Sequence, residues 1–245
     1  MAGSFASSLP DDLFDQTTIV SLLSTLAIVA AAWATARQVL PTTATGTTRF
    51  LFIWHFADAL CHFILEGSFL YHCFFSYVDV TTTTAAAAIE SFYPTPFNYL
   101  GHGADRIYGP QAGGDNPFAQ LWMVYAKADR RWAGVDLGVV SLELLTVVFD
   151  GLLALYICWC LARRDAKVSI WMIVLATCEL YGGFMTFCPE WLTGNINLDT
   201  SNFMYKWIYL IFFNTLWVWI PLWVIWWSVM DIANALQVRD AKKKH

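Results

Sequence analysis

The chain has 245 residues, of which 58% are hydrophobic and 17% aromatic, whereas only 13% carry a charge. A soluble domain has about 25% charged residues, so this composition excludes an ordinary soluble enzyme and indicates a membrane protein. The formal net charge is -5, and the basic residues form no run before the last few positions, which excludes nucleic-acid binding.

Five apolar segments are each long enough to cross a lipid bilayer, which takes about 20 residues in a helix. They cover about 17–40, 50–78, 133–161, 168–188 and 203–230. These lengths predict an all-α integral membrane protein whose five transmembrane helices form one bundle within residues 17–231. Residues 1–16 are predicted to be a lumenal N-terminal tail and residues 232–245 a cytosolic C-terminal tail.

Basic residues lie mainly on one side of the predicted bundle, in the first loop, the third loop and the C-terminal segment. Because loops rich in Lys and Arg face the cytosol, this pattern predicts a cytosolic C-terminus. Lys242 and Lys243 stand four and three places from the end of the sequence, as in a retrieval signal of the endoplasmic reticulum. The same lysines are equally typical of a plain solvated tail or of charge beside the membrane.

The second loop, at about 79–132, is rich in Thr, Ala, Gly and Pro and is long for a connection between helices. Loops of this length are usually functional or disordered. Its last part, 122–132, is dense in aromatic and charged residues, so we expect this part to be ordered against the membrane surface.

Polar and ionisable residues recur at helical spacing on four of the five predicted helices. They are His55, Asp58, His62 and Glu66 on the second, Asp136, Glu143, Thr146 and Asp150 on the third, Glu179 and Tyr181 on the fourth, and Asn214 and Trp217 on the fifth. An acid in the hydrocarbon layer costs about 2.5 kcal/mol or more, so such residues usually face a cavity and mark function. The pattern therefore predicts a polar pocket between helices 2–5.

These groups suit acid–base chemistry on a lipid. A buried carboxylic acid can donate a proton, a neighbouring His or carboxylate can accept one, and the face of Trp217 can stabilise a cation. We expect function from His62, Glu66 and Glu143, and a structural role, as polar contacts between helices, from Asp58, Asp150 and His55. A proton-coupled transporter would have a similar set of polar and ionisable residues in its helices. Five spans, and the lack of broken helices at corresponding positions in two halves of the chain, disfavour a transporter.

Several short motifs resemble the emopamil-binding protein family, the delta-8 to delta-7 sterol isomerases of the EXPERA superfamily. The motifs are His62-Phe-Ile-Leu-Glu66-Gly67, Tyr125-Ala-Lys-Ala-Asp129, Asp136 and Glu143 with Thr146, Tyr181-Gly182, and Asn214-Thr-Leu-Trp217. They occur in the family's order over residues 50–227. The resemblance implies a five-helix fold of the endoplasmic reticulum membrane, often dimeric, around a sterol-sized cavity.

The resemblance also implies roles for individual residues. Residues matching His62, Glu66 and Glu143 move protons to and from the ring alkene, Glu143 or Glu66 being the donor. Trp217 stabilises the cation and Asn214 holds the polar network. Residues expected to line the substrate site are Asp136, Thr146, Tyr125, Trp132, Tyr181 and Glu179. No cofactor or metal is expected, because the reaction is redox-neutral, and the expected partners are a lipophilic isoprenoid substrate, the bilayer and, in a homodimer, a second copy.

Some positions depart from the isomerases of this family. Glu179 replaces a Gln, Asp58 and Asp150 replace apolar or small residues, and the second loop is longer. These departures suit an alternative function, a terpene or meroterpenoid cyclase that protonates an epoxide or alkene of a prenyl chain. In that case Glu179 is expected to be the new acid. A further alternative is a non-catalytic membrane protein that binds sterols or drugs.

Overall fold

A computed structural model describes residues 16–80, 91–201 and 203–243. Within them, five helical stretches are long and apolar enough to cross a membrane. These stretches are Thr18–Val39, Gly46–Phe75, Leu137–Arg163, Val168–Thr193 and Met204–Lys242, numbered here as spans 1 to 5. The predicted all-α membrane fold with five transmembrane helices is confirmed, and the protein is a multi-pass membrane protein.

Three spans contain a π-helical segment, in which the helical turn is wider than in an α-helix. Span 2 consists of the α-helices Gly46–Leu60 and Gly67–Phe75, separated by the π-helix Cys61–Glu66. Span 3 consists of Leu137–Leu145, the π-helix Thr146–Asp150 and Gly151–Arg163. Span 5 begins with the π-helix Met204–Phe213 and continues as Asn214–Lys242, whereas Gln16–Val39 and Val168–Thr193 form spans 1 and 4. Such segments are rare and occur mostly at functional sites.

Local sequence signals set the ends of several helices. The Thr45 hydroxyl accepts a hydrogen bond from the Thr48 N–H and caps the start of span 2. Asn116 caps the helix Pro117–Ala126, whose first residue is a proline that needs no hydrogen-bond acceptor there. Gly194 ends span 4 in the left-handed conformation, with φ 78°. These caps fix where each helix leaves the bundle.

The loop between spans 2 and 3 is partly folded. Its strands β1, Tyr77–Asp79, and β2, Arg106–Tyr108, pair antiparallel with Val78 opposite Ile107. Short 3-10 turns cover Tyr99–Gly101, Pro110–Ala112 and Arg130–Ala133, and Pro117–Ala126 is an α-helix, called here the loop helix. The last part of the loop is ordered, as expected, and its aromatic residues pack against the bundle. Trp122 and Trp132 stack on each other and contact the ring of Phe69 in span 2 at a tilt.

The apolar core lies on both sides of a central cavity. On one side, Leu51 of span 2 packs with Ile157 of span 3, Leu175 of span 4 and Val224 of span 5. On the other side, the loop helix packs against spans 2, 3 and 5. The cavity between these two packed regions is open for a ligand.

The helix of span 5 continues to Lys242, so most of the predicted C-terminal tail extends this helix. Ser169 of span 4 donates a hydrogen bond to Asp231 Oδ2 over 2.7 Å and joins the two spans just before that extension. Most of the predicted N-terminal tail, and Lys244 and His245 of the predicted retrieval signal, lie outside the described residues.

Candidate active site

A cavity of about 1040 Å³ lies at the centre of the bundle, and most of its wall is apolar. Ligand pockets for drug-sized molecules run to about 1,000 Å³, so this cavity has room for a molecule as large as a sterol. Spans 2 to 5 line it, as the sequence predicts. Span 1 is an additional wall, with Leu22 and Val29 facing the cavity, and the loop helix adds Tyr125.

His62 is the centre of a hydrogen-bonded polar network on span 2. Its Nδ1 lies 2.6 Å from Glu66 Oε2, and its Nε2 lies 3.2 Å from Asp58 Oδ1. The two acids are four residues before and after His62, so one imidazole ring lies between two carboxyl groups one turn apart. A ring that contacts a carboxyl group at each nitrogen can pass a proton from one to the other.

Thr146 connects this network to span 3. Its hydroxyl oxygen lies 2.9 Å from Glu66 Oε2 and 3.1 Å from Glu143 Oε2. The π-helical segments of spans 2 and 3 face each other at this point. They approach closely because Gly151 has no side chain, and a Cβ at Gly151 would lie 2.9 Å from Phe63 Cζ. The hydroxyl group of Thr146 is therefore within hydrogen-bond distance of both Glu66 and Glu143.

Trp217 of span 5 completes one side of the network. Its indole N–H donates to Asp58 Oδ1 over 2.9 Å, and its ring centre lies 5.6 Å from that of Trp54. Both indoles line the cavity. Asp58, for which we expected a structural role, therefore lies in the cavity wall between His62 and Trp217.

Asn214 organises the wall beside the loop helix. Its Nδ2 donates to the Tyr125 hydroxyl over 3.1 Å and to the carbonyl oxygens of Tyr209 and Leu210 over 2.9 and 3.0 Å. Loss of solvent raises the pKa of the Tyr125 phenol, so the hydroxyl is neutral at physiological pH. The Tyr125 ring packs edge-on to Trp132 at 5.6 Å. Asn214 thus fixes Tyr125 and the end of the π-helix.

Asp150 and Glu179 also line the cavity, and both are buried. The Glu179 carboxyl receives no hydrogen bond from an N–H or hydroxyl group within the described part of the chain. It lies within hydrogen-bond reach of the Asp58 carboxyl, and His62 and Asp150 are close enough to act electrostatically on it. His55, by contrast, is fully buried behind the cavity wall and does not line it. Five carboxyl groups therefore surround one imidazole, and because so many like charges are unfavourable in a buried site, the cluster holds protons.

Two residues predicted to bind substrate lie outside the cavity. Asp136 instead caps span 3, since its Oδ1 accepts from the Val139 N–H over 3.0 Å while its Oδ2 accepts from the Tyr93 hydroxyl over 3.0 Å. Tyr181 is 62% exposed on the outer face of span 4. It follows Glu179 by two residues, which places the two side chains about 200° apart around the helix. Both predictions are corrected by the geometry.

A buried ionic cluster near one end of the cavity had no role assigned from the sequence. Arg131 donates to both oxygens of Asp129, over 2.9 and 2.6 Å, and to the Thr186 carbonyl over 2.6 Å. Glu190 lies 3.6 Å from Arg131 and accepts two hydrogen bonds from Asn197. This cluster, called here the clamp, holds the loop after span 4 against the loop before span 3. The one sequence signal for it was that Asp129 belongs to the motif Tyr125-Ala-Lys-Ala-Asp129.

Comparison with known families finds a similarity in the second half of the chain. Residues 117–228 match EXPERA, the expanded EBP superfamily, which confirms the resemblance predicted from the motifs. The matched region begins at the loop helix and ends within span 5. It contains Tyr125, Glu143 and Trp217, whereas His62 and Glu66 lie before it.

The curated relatives include sterol isomerases. The 3-beta-hydroxysteroid-Delta(8),Delta(7)-isomerase of Cavia porcellus is 30% identical over 137 residues, which are 56% of this chain and 60% of that protein. A probable enzyme of the same name from Arabidopsis thaliana is 32% identical over 118 residues, covering 47% of this chain and 52% of that protein. The chain therefore spans about half to three fifths of the length of these two relatives.

Another curated relative is named as a synthase. Protoglabretal synthase of Ailanthus altissima is 25% identical over 198 residues, which are 80% of this chain and 74% of that protein. The chain is thus similar both to sterol isomerases and to a synthase of another product. The residues that line the cavity have to distinguish these functions.

Proposed function

We propose that this chain, whose residues 117–228 form an EXPERA domain, is a membrane-embedded acid–base enzyme that shifts a double bond in a sterol-like isoprenoid. The observation that supports this function best is the network His62–Glu66–Thr146–Glu143 in the wall of a large apolar cavity. The network offers a proton donor and a proton acceptor, and the apolar wall suits a hydrocarbon substrate. The similarity to the sterol isomerases supports the same function.

Glu143 is the proposed proton donor. Its side chain contacts the Thr146 hydroxyl and the Glu66 carboxyl, and its only N–H or O–H donor in the network is Thr146, whereas Glu66 Oε2 is held by both His62 and Thr146. Two hydrogen-bond donors stabilise the ionised form of a carboxyl group, so Glu66 with His62 is the proposed acceptor. Glu143 gives its proton to one alkene carbon, which leaves a cation on the other carbon.

The acceptor then removes a proton from the carbon next to the cation, and the electrons of that C–H bond form the new double bond. One proton enters the substrate and one leaves it, so the reaction needs no oxidant or reductant. Thr146 lies within hydrogen-bond distance of both acids and provides the route by which the proton returns to Glu143. The faces of Trp217 and Trp132 stabilise the cation while it exists.

The second candidate function is a cyclase that protonates an epoxide or alkene of a prenyl chain. The additional cavity acids Asp58, Asp150 and Glu179 support it, as does the similarity to protoglabretal synthase. The same cation-stabilising indoles serve both reactions, since only the position of the cation differs. A non-catalytic binding protein has no need of a shared hydroxyl between two acids.

The proposed functions are tested by expressing the chain in yeast that lacks its own sterol delta-8 isomerase and profiling the sterols by mass spectrometry. Conversion of the accumulated delta-8 sterol to its delta-7 isomer is the expected result. Absence of conversion by folded, membrane-inserted protein contradicts the isomerase and makes epoxidised prenyl aromatics the next substrates. The Glu143→Gln variant is the control, because it retains the shape of the site but has no acid to donate.

We also propose that residues 17–231 act as one membrane domain in the endoplasmic reticulum, with a cytosolic C-terminus and as a homodimer. Arg163, Arg164 and Lys167 between spans 3 and 4 support the orientation, because this loop is on the same side as the C-terminus. Glycosylation reporters fused to the C-terminus are expected to stay unmodified, and crosslinking in microsomes tests the dimer.

A further inference from the structure

Several polar groups in the cavity wall have a buried atom without a hydrogen-bond partner within the described residues. Besides His62 Nε2 and Trp132 Nε1, they include Trp54 Nε1, Asp58 Oδ2, Asp150 Oδ1 and both oxygens of Glu179. Glu179 is only 6% exposed and Asp58 only 2%. Buried polar groups are normally paired, because each lost hydrogen bond to water costs free energy. Asp58 and Glu179 lie within reach of each other, but one shared proton satisfies only one oxygen of each carboxyl, and Trp54 Nε1 and Asp150 Oδ1 have no partner at all among the described residues. The set therefore points to a ligand that supplies the missing partners.

Trp54, Asp58, Asp150 and Glu179 lie at the level of His62 or toward the start of span 2 from it. Trp54 and Asp58 precede His62 by two turns and one turn of span 2, whereas Glu66 follows it by one turn. Thr146 contacts Glu66 and Gly151 packs on Phe63, so span 3 runs antiparallel to span 2 and Asp150 lies near the level of His62. Glu179 interacts electrostatically with Asp58 and Asp150. We call Trp54, Asp58, Asp150 and Glu179 the oxygen site.

We propose that the oxygen site binds an oxygen-containing functional group of the lipophilic substrate, a hydroxyl or an epoxide. This inference rests on the proposed function, since it assigns a binding role to another part of the wall of the same cavity. A substrate oxygen accepts a hydrogen bond from the Trp54 N–H or from a protonated Glu179, and a hydroxyl also donates to Asp58 Oδ2. A hydrocarbon end of the substrate leaves all these groups unpaired, so the site selects oxygenated isoprenoids over hydrocarbons.

The site also orients the substrate. With the oxygen held beside Asp58 and Glu179, the hydrocarbon part of the molecule extends past His62 toward Glu66, Thr146 and Glu143. In a hydroxyl substrate the proton transfer then takes place at a distance from the oxygen, as a double-bond shift requires. In an epoxide substrate the oxygen itself lies next to an acid, as epoxide opening requires. The nature of the bound oxygen therefore distinguishes the two candidate reactions.

The test uses full-length protein in lipid nanodiscs and two pairs of probes. Cholest-8-en-3β-ol and its 3-deoxy analogue form the hydroxyl pair, and a farnesyl phenol with a terminal epoxide and its parent form the epoxide pair. In at least one of the two pairs, the oxygenated probe is expected to bind at least about tenfold more tightly than its analogue. Glu179→Leu is expected to abolish that preference. Tyr181→Leu, on the outer face of the same span, is the matched control and is expected to keep the preference.

A stability measurement separates a binding role from a structural one. Glu179→Leu replaces a buried carboxyl that faces the acids Asp58 and Asp150, and that receives no hydrogen bond from an N–H or hydroxyl group of the described residues, by an apolar side chain. Ligand-free protein is therefore expected to melt at a higher temperature. A lower melting temperature makes Glu179 a structural residue and overturns the proposal. Equal binding of both members of both pairs by the wild type also overturns it, as does a preference that survives both Glu179→Leu and Asp58→Leu.

Turnover of the same probes distinguishes this inference from the proposed function. An oxygen preference that depends on Glu179, without any conversion of either oxygenated probe, supports the site and contradicts the enzyme. Conversion of the delta-8 sterol with equal binding of the deoxy analogue supports the enzyme and overturns the oxygen site.

Discussion

Trp217 and Asp58, 159 positions apart in the chain, are joined by a hydrogen bond of 2.9 Å from the indole N–H to Oδ1. The bond fixes the plane of the indole beside the imidazole of His62, which contacts the same Asp58 oxygen at 3.2 Å. An aromatic face held in this way is ready to meet a cation formed near His62. Trp217 therefore supplies both a hydrogen bond and an aromatic face.

Replacement of Trp217 separates these two contributions. Trp217→Leu is expected to lower turnover by up to about 30-fold, because the aromatic face stabilises a desolvated cation by about 2 kcal/mol. Trp217→Phe keeps a smaller aromatic face and loses the N–H, so its turnover is expected to lie between those of Leu and the wild type. Assays in microsomes check the order, and equal losses in the two variants contradict a role for the aromatic face.

The acids are tested by Glu143→Gln and Glu66→Gln. Each is expected to lower turnover by at least about 100-fold, because a general acid or base contributes about that much or more. Ligand affinity is expected to change much less, since Gln keeps the shape and most hydrogen bonds of Glu. Sterol conversion and probe binding are measured on the same preparations, with Tyr181→Phe as the control. Unchanged turnover in both Gln variants contradicts the assignment of donor and acceptor.

Thr146 is expected to act through its hydroxyl. Thr146→Val has almost the same shape but cannot bridge Glu66 and Glu143, so turnover is expected to fall about tenfold through slower return of the proton. Thr146→Ser keeps the hydroxyl and is expected to retain most activity. Steady-state rates of the three proteins check this. A Ser variant as slow as the Val variant assigns the loss to packing instead.

The clamp is expected to contribute to stability. Arg131→Met leaves Asp129 and Glu190 buried without their cation, and breaking a buried ion pair costs about 3–5 kcal/mol. Asp129→Leu added to Arg131→Met removes one of the uncompensated charges, so the double variant is expected to be more stable than Arg131→Met alone. Thermal unfolding in nanodiscs measures both effects. A double variant less stable than the single one contradicts this account.

Much of the fold and part of the site followed from the sequence. Hydropathy determines the five spans, and the spacing of His62 and Glu66 along one helix predicts that they share a face, on which the structure shows them in contact. The contact between Glu66 and Thr146 joins two spans, and no periodicity within one span reveals it. Asp136 lies on the same helical face as Glu143 by arithmetic, but its position at the first turn makes it a cap.

The additional acids were harder to interpret. Asp58 and Asp150 have the spacing of polar contacts between helices, and only the packing of spans 2, 3 and 4 shows that they line the cavity. The clamp depends on residues from two loops, 129–131 and 190–197, whose meeting follows from the bundle and not from local propensity.

The π-helical segments have a consequence for how the chain compares with its relatives. A π turn holds one residue more than the α turn it replaces, so it is equivalent to an insertion of a single residue inside a helix. Where a relative has ordinary α turns at 61–66, 146–150 or 204–213, its alignment with this chain is expected to contain one-residue gaps within the membrane spans. Because the wider turn absorbs the additional residue, the residues after each gap, among them Asn214, are expected to face the same way as their counterparts.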